Sequence, residues 1–423
     1  MRIFPLFRQL FGGNVTMYGL LGEHLPHSFS PQIHSALGNK DYTLFEVEPE
    51  NLDVFMKEHN FKGINVTIPY KKAVIPYLDV ISPEAQKIGA VNTIKVKDGK
   101  LYGDNTDYFG FKYMVEKSGI TIHNKKALVL GSGGASLTVQ AVLRDMGASE
   151  IVVLSRNGDN NYVNMYIKHT DAQIIVNTTP VGMYPDNLNT LVDLDRFENL
   201  SGVLDVVYNP LKTRLVLDAE QRNIPSSAGL SMLVAQAKKA HEIFFDTIVE
   251  NDVCEQIERS LILQMCNIVL IGMAGCGKST VGKVLAEKLD KQLVDTDEMI
   301  VNTENKPIPE IFAESGEDYF RWCENLAVNI AGREKSQIIA TGGGVITRPE
   351  NYNPLKQNGI IVFINRDADL LPTNGRPLSQ MHGVKALYEK RMPIYRQFAD
   401  VEVDGNDTVE EVANRIVKEI VSL

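Results

Sequence analysis

The chain has no excess of positive charge: 43 lysines and arginines stand against 53 acidic residues, a formal net charge of −10. A nucleic-acid partner needs a basic footprint, so that class is set aside, and any anionic ligand must be held by locally placed lysines and arginines. Long apolar runs are missing as well; none approaches the roughly 18 residues that read as a membrane span, so no membrane partner is expected. Cysteine is scarce, and Cys254, Cys266, Cys276 and Cys323 lie far apart without paired metal-ligand spacing. That pattern suits a reducing cytoplasm. No Pro/Gly/Ser-rich linker, internal repeat or low-complexity segment interrupts the sequence. Yet 423 residues exceed what one core usually serves, so two or three domains are expected. Residues 1–16 carry Arg2 and Arg8 among apolar neighbours, but no long apolar stretch or small-residue cleavage site follows. Met17 opens a strand-like run, so 1–16 are expected to be a poorly ordered extension from an upstream start codon.

What the chain does have is two glycine-rich loops of different form, about 140 residues apart. Gly131-Ser132-Gly133-Gly134-Ala135-Ser136 follows the apolar run Ala127-Leu128-Val129-Leu130. Glycines there let the backbone turn tightly and approach a pyrophosphate, while N–H groups at the start of the next helix supply donors. Such a triplet also serves a plain strand-to-helix turn. Ser155-Arg156-Asn157 stands where an NAD enzyme carries an acidic residue for the ribose hydroxyls. Arg156 suits a 2′-phosphate, which favours NADP(H); the alternative is a solvated loop arginine. The second loop, Gly272-Met273-Ala274-Gly275-Cys276-Gly277-Lys278-Ser279-Thr280, follows Ile268-Val269-Leu270-Ile271 and has the P-loop form. Its backbone would cradle the phosphates of ATP, with Lys278 on the β and γ oxygens and Ser279 on Mg²⁺.

Around these loops, short apolar runs alternate with helical patterns. Thr43–Val47, Gly63–Val66, Ile151–Leu154, Ile174–Val176 and Val203–Val207 read as strands, and Met232–Phe245 as a helix. The alternation predicts α/β sheets with covering helices. An independent second fold begins near 260–265, where Met265-Cys266-Asn267-Ile268 opens the strand before the P-loop.

Seven segments cluster polar residues where a hydroxyl-rich substrate would need them. They are Ser28-Phe29-Ser30-Pro31, Asn65-Val66-Thr67-Ile68-Pro69-Tyr70-Lys71, Gly89-Ala90-Val91-Asn92-Thr93, Gly103-Asp104-Asn105-Thr106-Asp107, Asn177-Thr178-Thr179-Pro180-Val181-Gly182-Met183, Asp205-Val206-Val207-Tyr208-Asn209-Pro210, and 229–236. In this order they resemble the motifs of the shikimate dehydrogenase family over residues 17 to about 250. The resemblance implies reduction of 3-dehydroshikimate by NADPH, with Lys71 and Asp107 as the catalytic pair. It implies Ser28, Ser30, Thr67, Asn92 and Gln236 as substrate binders, with Tyr208 and Asn65 as further carry-overs. The cofactor would meet Gly131, Gly133, Gly134, Ala135, Ser136, Ser155 and Arg156. Two departures stand out: the interval from Arg156 to Asn177 is short, and Gly158-Asp159-Asn160-Asn161 replaces the family's second basic residue.

Downstream, Asp295-Thr296-Asp297, Phe320-Arg321-Trp322-Cys323-Glu324, Gly342-Gly343-Gly344, Gly375-Arg376-Pro377-Leu378 and Arg391-Met392-Pro393-Ile394-Tyr395 resemble the shikimate kinase series over 265–423. By that resemblance Asp295 joins Ser279 in the magnesium shell, and Asp297, with Lys278, is catalytic. Arg321 and Arg391 would grip the substrate carboxylate beside Gly342, Gly343 and Gly344. Gly272, Gly275, Gly277, Lys278, Ser279, Thr280 and Arg376 would bind ATP, with Arg376 on a lid.

The expected plan is therefore an extension over 1–16 and a substrate-binding α/β domain over 17–118, completed by a helix at about 232–255. A Rossmann-type NADP domain over 119–231 and a P-loop kinase domain with a parallel sheet over 265–423 follow. Shikimate made by the first half would be phosphorylated by the second, in the cytoplasm; the resemblance also allows a homodimer through the dehydrogenase half. Three rivals remain: an NAD-dependent quinate-type first half, a non-catalytic sensor half, and a kinase for another polyol or a nucleotide.

Overall fold

Strand-forming runs of two to seven residues, bounded by turns, build three sheets in this computed structural model, which describes residues 18–25, 28–372 and 383–422. The extension expected over 1–16 and the lid arginine Arg376 lie outside the described residues. The first sheet holds β1 (Tyr18–Gly22), β2 (Tyr42–Glu46), β3 (Gly63–Val66), β4 (Val80–Ile81), β5 (Thr93–Lys97) and β6 (Lys100–Asp104), in the order β2-β1-β3-β5-β6-β4. β1 pairs in parallel with β2 and β3, whereas β5 runs antiparallel to β3 with Asn65 opposite Thr93. Leu21, Ile64, Val66, Val91 and Ile94 are buried in its core.

The second sheet contains β7 (Lys126–Leu130), β8 (Glu150–Leu154), β9 (Ile174–Asn177), β10 (Gly202–Asp205) and β11 (Ser226–Ser227), all parallel, in the order β11-β10-β9-β7-β8. Strand order reverses at β7, which opens a crevice at the carboxyl end of that strand, where the first glycine loop begins. The short interval after Arg156 yields only the four-residue helix Met165–Lys168 between β8 and β9. Helices Thr106–Ser118 and Leu230–Phe245 pack closely against each other. Gly110 permits that approach, since a β-carbon there would lie 2.6 Å from the Met232 carbonyl oxygen.

The single helix expected over about 232–255 is two helices. The first ends at Phe245, where Asp246 turns left-handed with φ 49°, and the second runs from Asn251 to Met265. The β-branched run Thr247-Ile248-Val249 between them resists helix on χ1 grounds.

The third sheet is wholly parallel: β12 (Asn267–Ile271), β13 (Gln292–Asp295), β14 (Gln337–Ala340), β15 (Gly359–Asn365) and β16 (Val401–Asp404), in the order β13-β14-β12-β15-β16. Every residue of central β12 is buried, as a strand covered on both faces requires. Among the described residues no helix is long and apolar enough to cross a membrane.

By contact the chain divides into two compact units, one holding the chain to Pro180 with Leu191–Tyr208 and Asp218–Arg259, the other holding Val181–Thr190, Asn209–Leu217 and Ser260 onward. The second unit thus includes two short segments that lie, in sequence, within the cofactor half. Its fully buried Gln357 accepts from Asn187 Nδ2 at 2.5 Å and donates Nε2 to the Asn187 carbonyl at 2.7 Å. Asn358 donates to the Tyr184 hydroxyl at 2.5 Å and accepts the Leu211 N–H at 3.1 Å. Both ends of the buried Gln357 amide are thereby satisfied by Asn187 within this unit.

Candidate active sites

β3 runs directly into Thr67 and then Lys71, while β6 runs into the helix Thr106–Ser118, whose first turn carries Asp107. The chain thereby brings together two charges that are 36 residues apart in sequence: Lys71 Nζ donates to Asp107 Oδ2 at 2.5 Å. Both side chains keep part of their surface open. The carboxylate orients the ammonium toward whatever binds there.

Asn92, nearly fully buried, sits just before β5. Its Oδ1 receives the Thr106 N–H at 2.7 Å, the Thr106 hydroxyl at 3.2 Å and the Thr93 hydroxyl at 3.1 Å. The Thr106 N–H, which can only donate, identifies that end of the amide as the oxygen. The Thr106 hydroxyl also lies 3.5 Å from Gln236 Oε1, so Asn92, Asp107 and Gln236 share one neighbourhood. Ser30 begins the helix Ser30–Ala36 and gives its N–H to Ser28 Oγ at 3.2 Å. Phe29 between them meets the Tyr208 ring edge-on at 6.1 Å. Thr67, half-buried, gives its N–H to the Leu21 carbonyl. Asn65 differs from these: its Oδ1 takes the Tyr42 hydroxyl at 2.6 Å, and its Nδ2 reaches Thr93 Oγ1 at 2.9 Å and the Asn92 carbonyl at 3.4 Å.

Behind this network His34 stacks on Tyr42, with ring centroids 4.0 Å apart, and its Nδ1 is buried without a hydrogen-bond partner. Burial, with neighbouring His241 acting in the same sense and Asn65 against it, pushes the imidazole down to about 3. The folded state therefore holds His34 neutral, whereas the unfolded chain takes up a proton below about pH 6.5. Above that pH no penalty arises. Below it, stability is expected to fall by roughly 1.4 kcal/mol by pH 5.5 and about as much again per further unit. His34→Phe should flatten the melting temperature between pH 6.5 and 4.5; a profile as steep as that of the unaltered chain would refute this origin.

At the glycine turn after β7, Gly131 has φ 103°, and a β-carbon on it would press on Thr178 and Thr179. The helix Gly134–Asp145 opens immediately after, with clear space beside Gly133 and Gly134. Ala135 is half-buried in its first turn. Ser136 turns its hydroxyl inward to accept from Gln140 Nε2 at 3.0 Å, so what it can offer a pyrophosphate is its main-chain N–H. Ser155 directly follows β8, its N–H held by the Asn160 carbonyl, and Arg156 beyond it is exposed.

In the second unit the P-loop joins β12 to the helix Lys278–Leu289, with Gly275 and Gly277 at φ 87° and 102°. Lys278, buried, bonds back to the carbonyls of Gly272 (2.9 Å) and Met273 (3.0 Å). Thr280 continues the helix beyond Ser279. Ser279 Oγ donates to Asp295 Oδ2 at 2.5 Å, and Asp295 also caps the helix Thr296–Glu304 through the Asp297 and Glu298 N–H groups. A hydroxyl and a carboxylate side by side suit Mg²⁺, which takes few protein ligands and completes its shell with water and phosphate oxygens.

Asp297 Oδ1 is buried without a hydrogen-bond partner. Its carboxyl is pushed up to about 6, first by burial and then by Asp295 and Glu324, with Lys278 and Arg321 opposing. Arg321, also buried, donates to Glu324 Oε2 at 2.7 Å and to Glu317 at 3.1 Å. Arg391 NH1 donates to the Gly343 carbonyl at 3.1 Å. The glycine triplet is the seam between these groups. A β-carbon on Gly344 would fall 2.2 Å from the Arg321 guanidinium, and one on Gly342 would fall 2.7 Å from Asp297 Oδ1.

Sequence reading left three participants without a role. Glu324 holds Arg321 and is signalled only by its i, i+3 spacing on the helix Ile308–Arg333. Tyr395, fully buried and one turn after Arg391, donates to the Gly343 carbonyl at 2.5 Å. Tyr42 bears no motif at all. Among the described residues no three His, Cys, Asp or Glu side chains form a metal cluster.

Comparison with known proteins matches residues 20–94 to the shikimate dehydrogenase substrate-binding domain and residues 274–421 to shikimate kinase. The chain is 43% identical over 256 residues to an NADP⁺ shikimate dehydrogenase of Clostridium beijerinckii, covering 56% of this chain and 94% of that one. A relative of the same description from Methanosphaera stadtmanae is 38% identical, covering 55% of this chain and 92% of its own. Among solved structures, a chorismate mutase/shikimate 5-dehydrogenase fusion protein of Clostridium acetobutylicum aligns with TM-score 0.55 and 37% identity, over 59% of this chain and 97% of that one. A shikimate 5-dehydrogenase of Thermus thermophilus, solved with NADP(H) and shikimate, aligns with TM-score 0.53 and 32% identity, over 58% and 99%.

Proposed function

The chain belongs to the shikimate dehydrogenase family and carries a shikimate kinase domain after it, and from that premise we propose that it performs two successive reactions. It reduces 3-dehydroshikimate to shikimate with NADPH, then phosphorylates the shikimate 3-hydroxyl with ATP. The observation that carries this pairing is that both matched families are named for the same small molecule.

In the first reaction the substrate ketone lies against Lys71, with its hydroxyls and carboxylate toward Ser28, Ser30, Thr67, Asn92, Tyr208 and Gln236. NADPH, when bound at Gly131–Ser136 with Arg156 toward its 2′-phosphate, supplies the hydride. As the carbonyl carbon is reduced its oxygen must gain a proton, and Lys71, aimed by Asp107, delivers it from within hydrogen-bond reach. The exposure of Arg156 just past β8 favours the 2′-phosphate cofactor over NAD.

In the second reaction Arg321 and Arg391 hold the shikimate carboxylate in planar, charge-assisted hydrogen bonds. Asp297 receives the proton of the attacking hydroxyl or orients it. Lys278 swings from the loop carbonyls to the phosphate oxygens, and Ser279 with Asp295 holds Mg²⁺, which offsets phosphate charge when bound. The substrate-binding part of this reading occupies 17–118, the cofactor part 119–231 and the kinase 265–423.

The test supplies the purified chain with 3-dehydroshikimate, NADPH, ATP and Mg²⁺, following nicotinamide absorbance and identifying products by mass spectrometry. Shikimate 3-phosphate should form only when both nucleotides are present. Shikimate without its phosphate would overturn the kinase half, and no nicotinamide oxidation would overturn the dehydrogenase half.

A further inference from the structure

We propose that Tyr42 is a positioning residue for substrate recognition in the dehydrogenase site, acting through Asn65 to set the orientation of Asn92. The proposal rests on the reading of that site as one for 3-dehydroshikimate. Tyr42 begins β2, two strands away from β3 across β1, and its hydroxyl reaches over to Asn65 Oδ1 at 2.6 Å. Burial pushes the phenol well above its ordinary range, so the hydroxyl remains a donor. The His34 ring stacked on it at 4.0 Å leaves the phenol plane little freedom.

From that end the hydrogen bonds run inward from Tyr42 through Asn65. Because Asn65 Oδ1 accepts from Tyr42, its Nδ2 is the end that faces β5, where it donates to Thr93 Oγ1 at 2.9 Å and to the Asn92 carbonyl at 3.4 Å. Thr93 Oγ1, now an acceptor from Asn65, can give its single proton to Asn92 Oδ1 at 3.1 Å, with the Thr106 hydroxyl at 3.2 Å as the second acceptor in reach. Thr106 adds its N–H and hydroxyl to the same oxygen. The Asn92 amide can then present only its N–H₂ end to a ligand, a donor suited to a substrate hydroxyl or carboxylate oxygen. Tyr42 is the outermost donor of this series. Without its hydroxyl, Asn65 can turn its amide over, Thr93 loses its donor, and the Asn92 amide is held by Thr106 alone. Asn65 accordingly serves from behind the site, because both ends of its amide are engaged inside the protein.

The experiment uses the full chain with Tyr42→Phe, which removes one oxygen and keeps the ring that stacks on His34. The expected result is a rise of about five- to tenfold in KM for 3-dehydroshikimate, the scale of one lost buried hydrogen bond. The kcat should stay within about threefold, and the KM for NADPH and the phosphorylation of supplied shikimate should not move. Thr93→Val, near-isosteric, interrupts the same series one step further in and should reproduce the KM effect if Tyr42→Phe is poorly folded. A KM within about twofold of the unaltered chain in both variants overturns the proposal, as does a lower kcat at unchanged KM, which would place Tyr42 with proton transfer. If the unaltered chain fails to oxidise NADPH with 3-dehydroshikimate, the underlying reading fails and the proposal with it. An active unaltered chain with an unchanged Tyr42→Phe sinks the proposal alone.

Discussion

Lys71→Met is expected to lower kcat for 3-dehydroshikimate reduction by about 10²–10⁴, the usual worth of a positioned general acid, while supplied shikimate is still phosphorylated at the ordinary rate. Methionine keeps the length and apolar stem of lysine but removes its proton and charge. The loss therefore reports chemistry rather than packing, since Lys71 is partly exposed and pairs with Asp107 at 2.5 Å. KM should change little if the lysine acts mainly in the transition state. Asp107→Asn should fall between the two, because an amide can still accept from the ammonium but holds it less firmly. Stopped-flow absorbance at the nicotinamide band reads the first reaction, and a coupled assay with added shikimate reads the second in the same preparation. A folded Lys71→Met chain that had also lost phosphorylation would contradict the assignment of the two activities to separate residues.

Legibility from sequence differed with the kind of information each feature carries. The glycine loops were readable because a strand, a turn that needs positive φ and a helix start leave a linear record, as Gly131, Gly275 and Gly277 show. The α/β class of the first half followed from alternating runs in the same way, whereas the parallel third sheet was expected from the P-loop and the kinase resemblance. Pairings across the fold leave no such record. Lys71 and Asp107 could be joined only through family resemblance, since nothing in a 36-residue interval says that β3 and β6 end at the same edge of the sheet with β5 between them. Asn65 illustrates the limit within a motif. Its residue type and place suggested a ligand contact, but the residues that occupy its amide, Tyr42 and Thr93, sit on other strands. Near 245 the apolar spacing ended the helix at Phe245, as the backbone does, and only the domain plan carried it on to about 255. The Gln357–Asn187 amide pair was out of reach altogether, being 170 residues apart and without apolar pattern.

Asp297→Asn is expected to separate function from stability in the second unit. Activity should fall by at least ~10², because the amide cannot take the proton of the attacking hydroxyl and orients it less well. Stability of the protein without ligands should rise by roughly 1–3 kcal/mol, an effect opposite in sign to that of most single substitutions. The physical ground is the crowding of carboxylates around Gly342: Asp297 Oδ1 and Glu324 Oε1 would both touch a β-carbon placed there, and both atoms are buried without hydrogen-bond partners. Burial and the two neighbouring acids push the Asp297 carboxyl up to about 6, so at neutral pH the folded state carries a charge that the unfolded chain accommodates more readily. On the proposed reading this carboxylate draws the proton from shikimate, which a neutral side chain there could not do. Thermal melting of the protein without ATP or Mg²⁺, at pH 7.5 with and without the substitution, gives the stability arm, and phosphorylation of shikimate gives the other. A variant that lost activity and melted lower would show that Asp297 is held by contacts stronger than its electrostatic penalty. One that kept activity would remove Asp297 from the chemistry and leave the attacking hydroxyl to be oriented by the arginine-bound carboxylate alone.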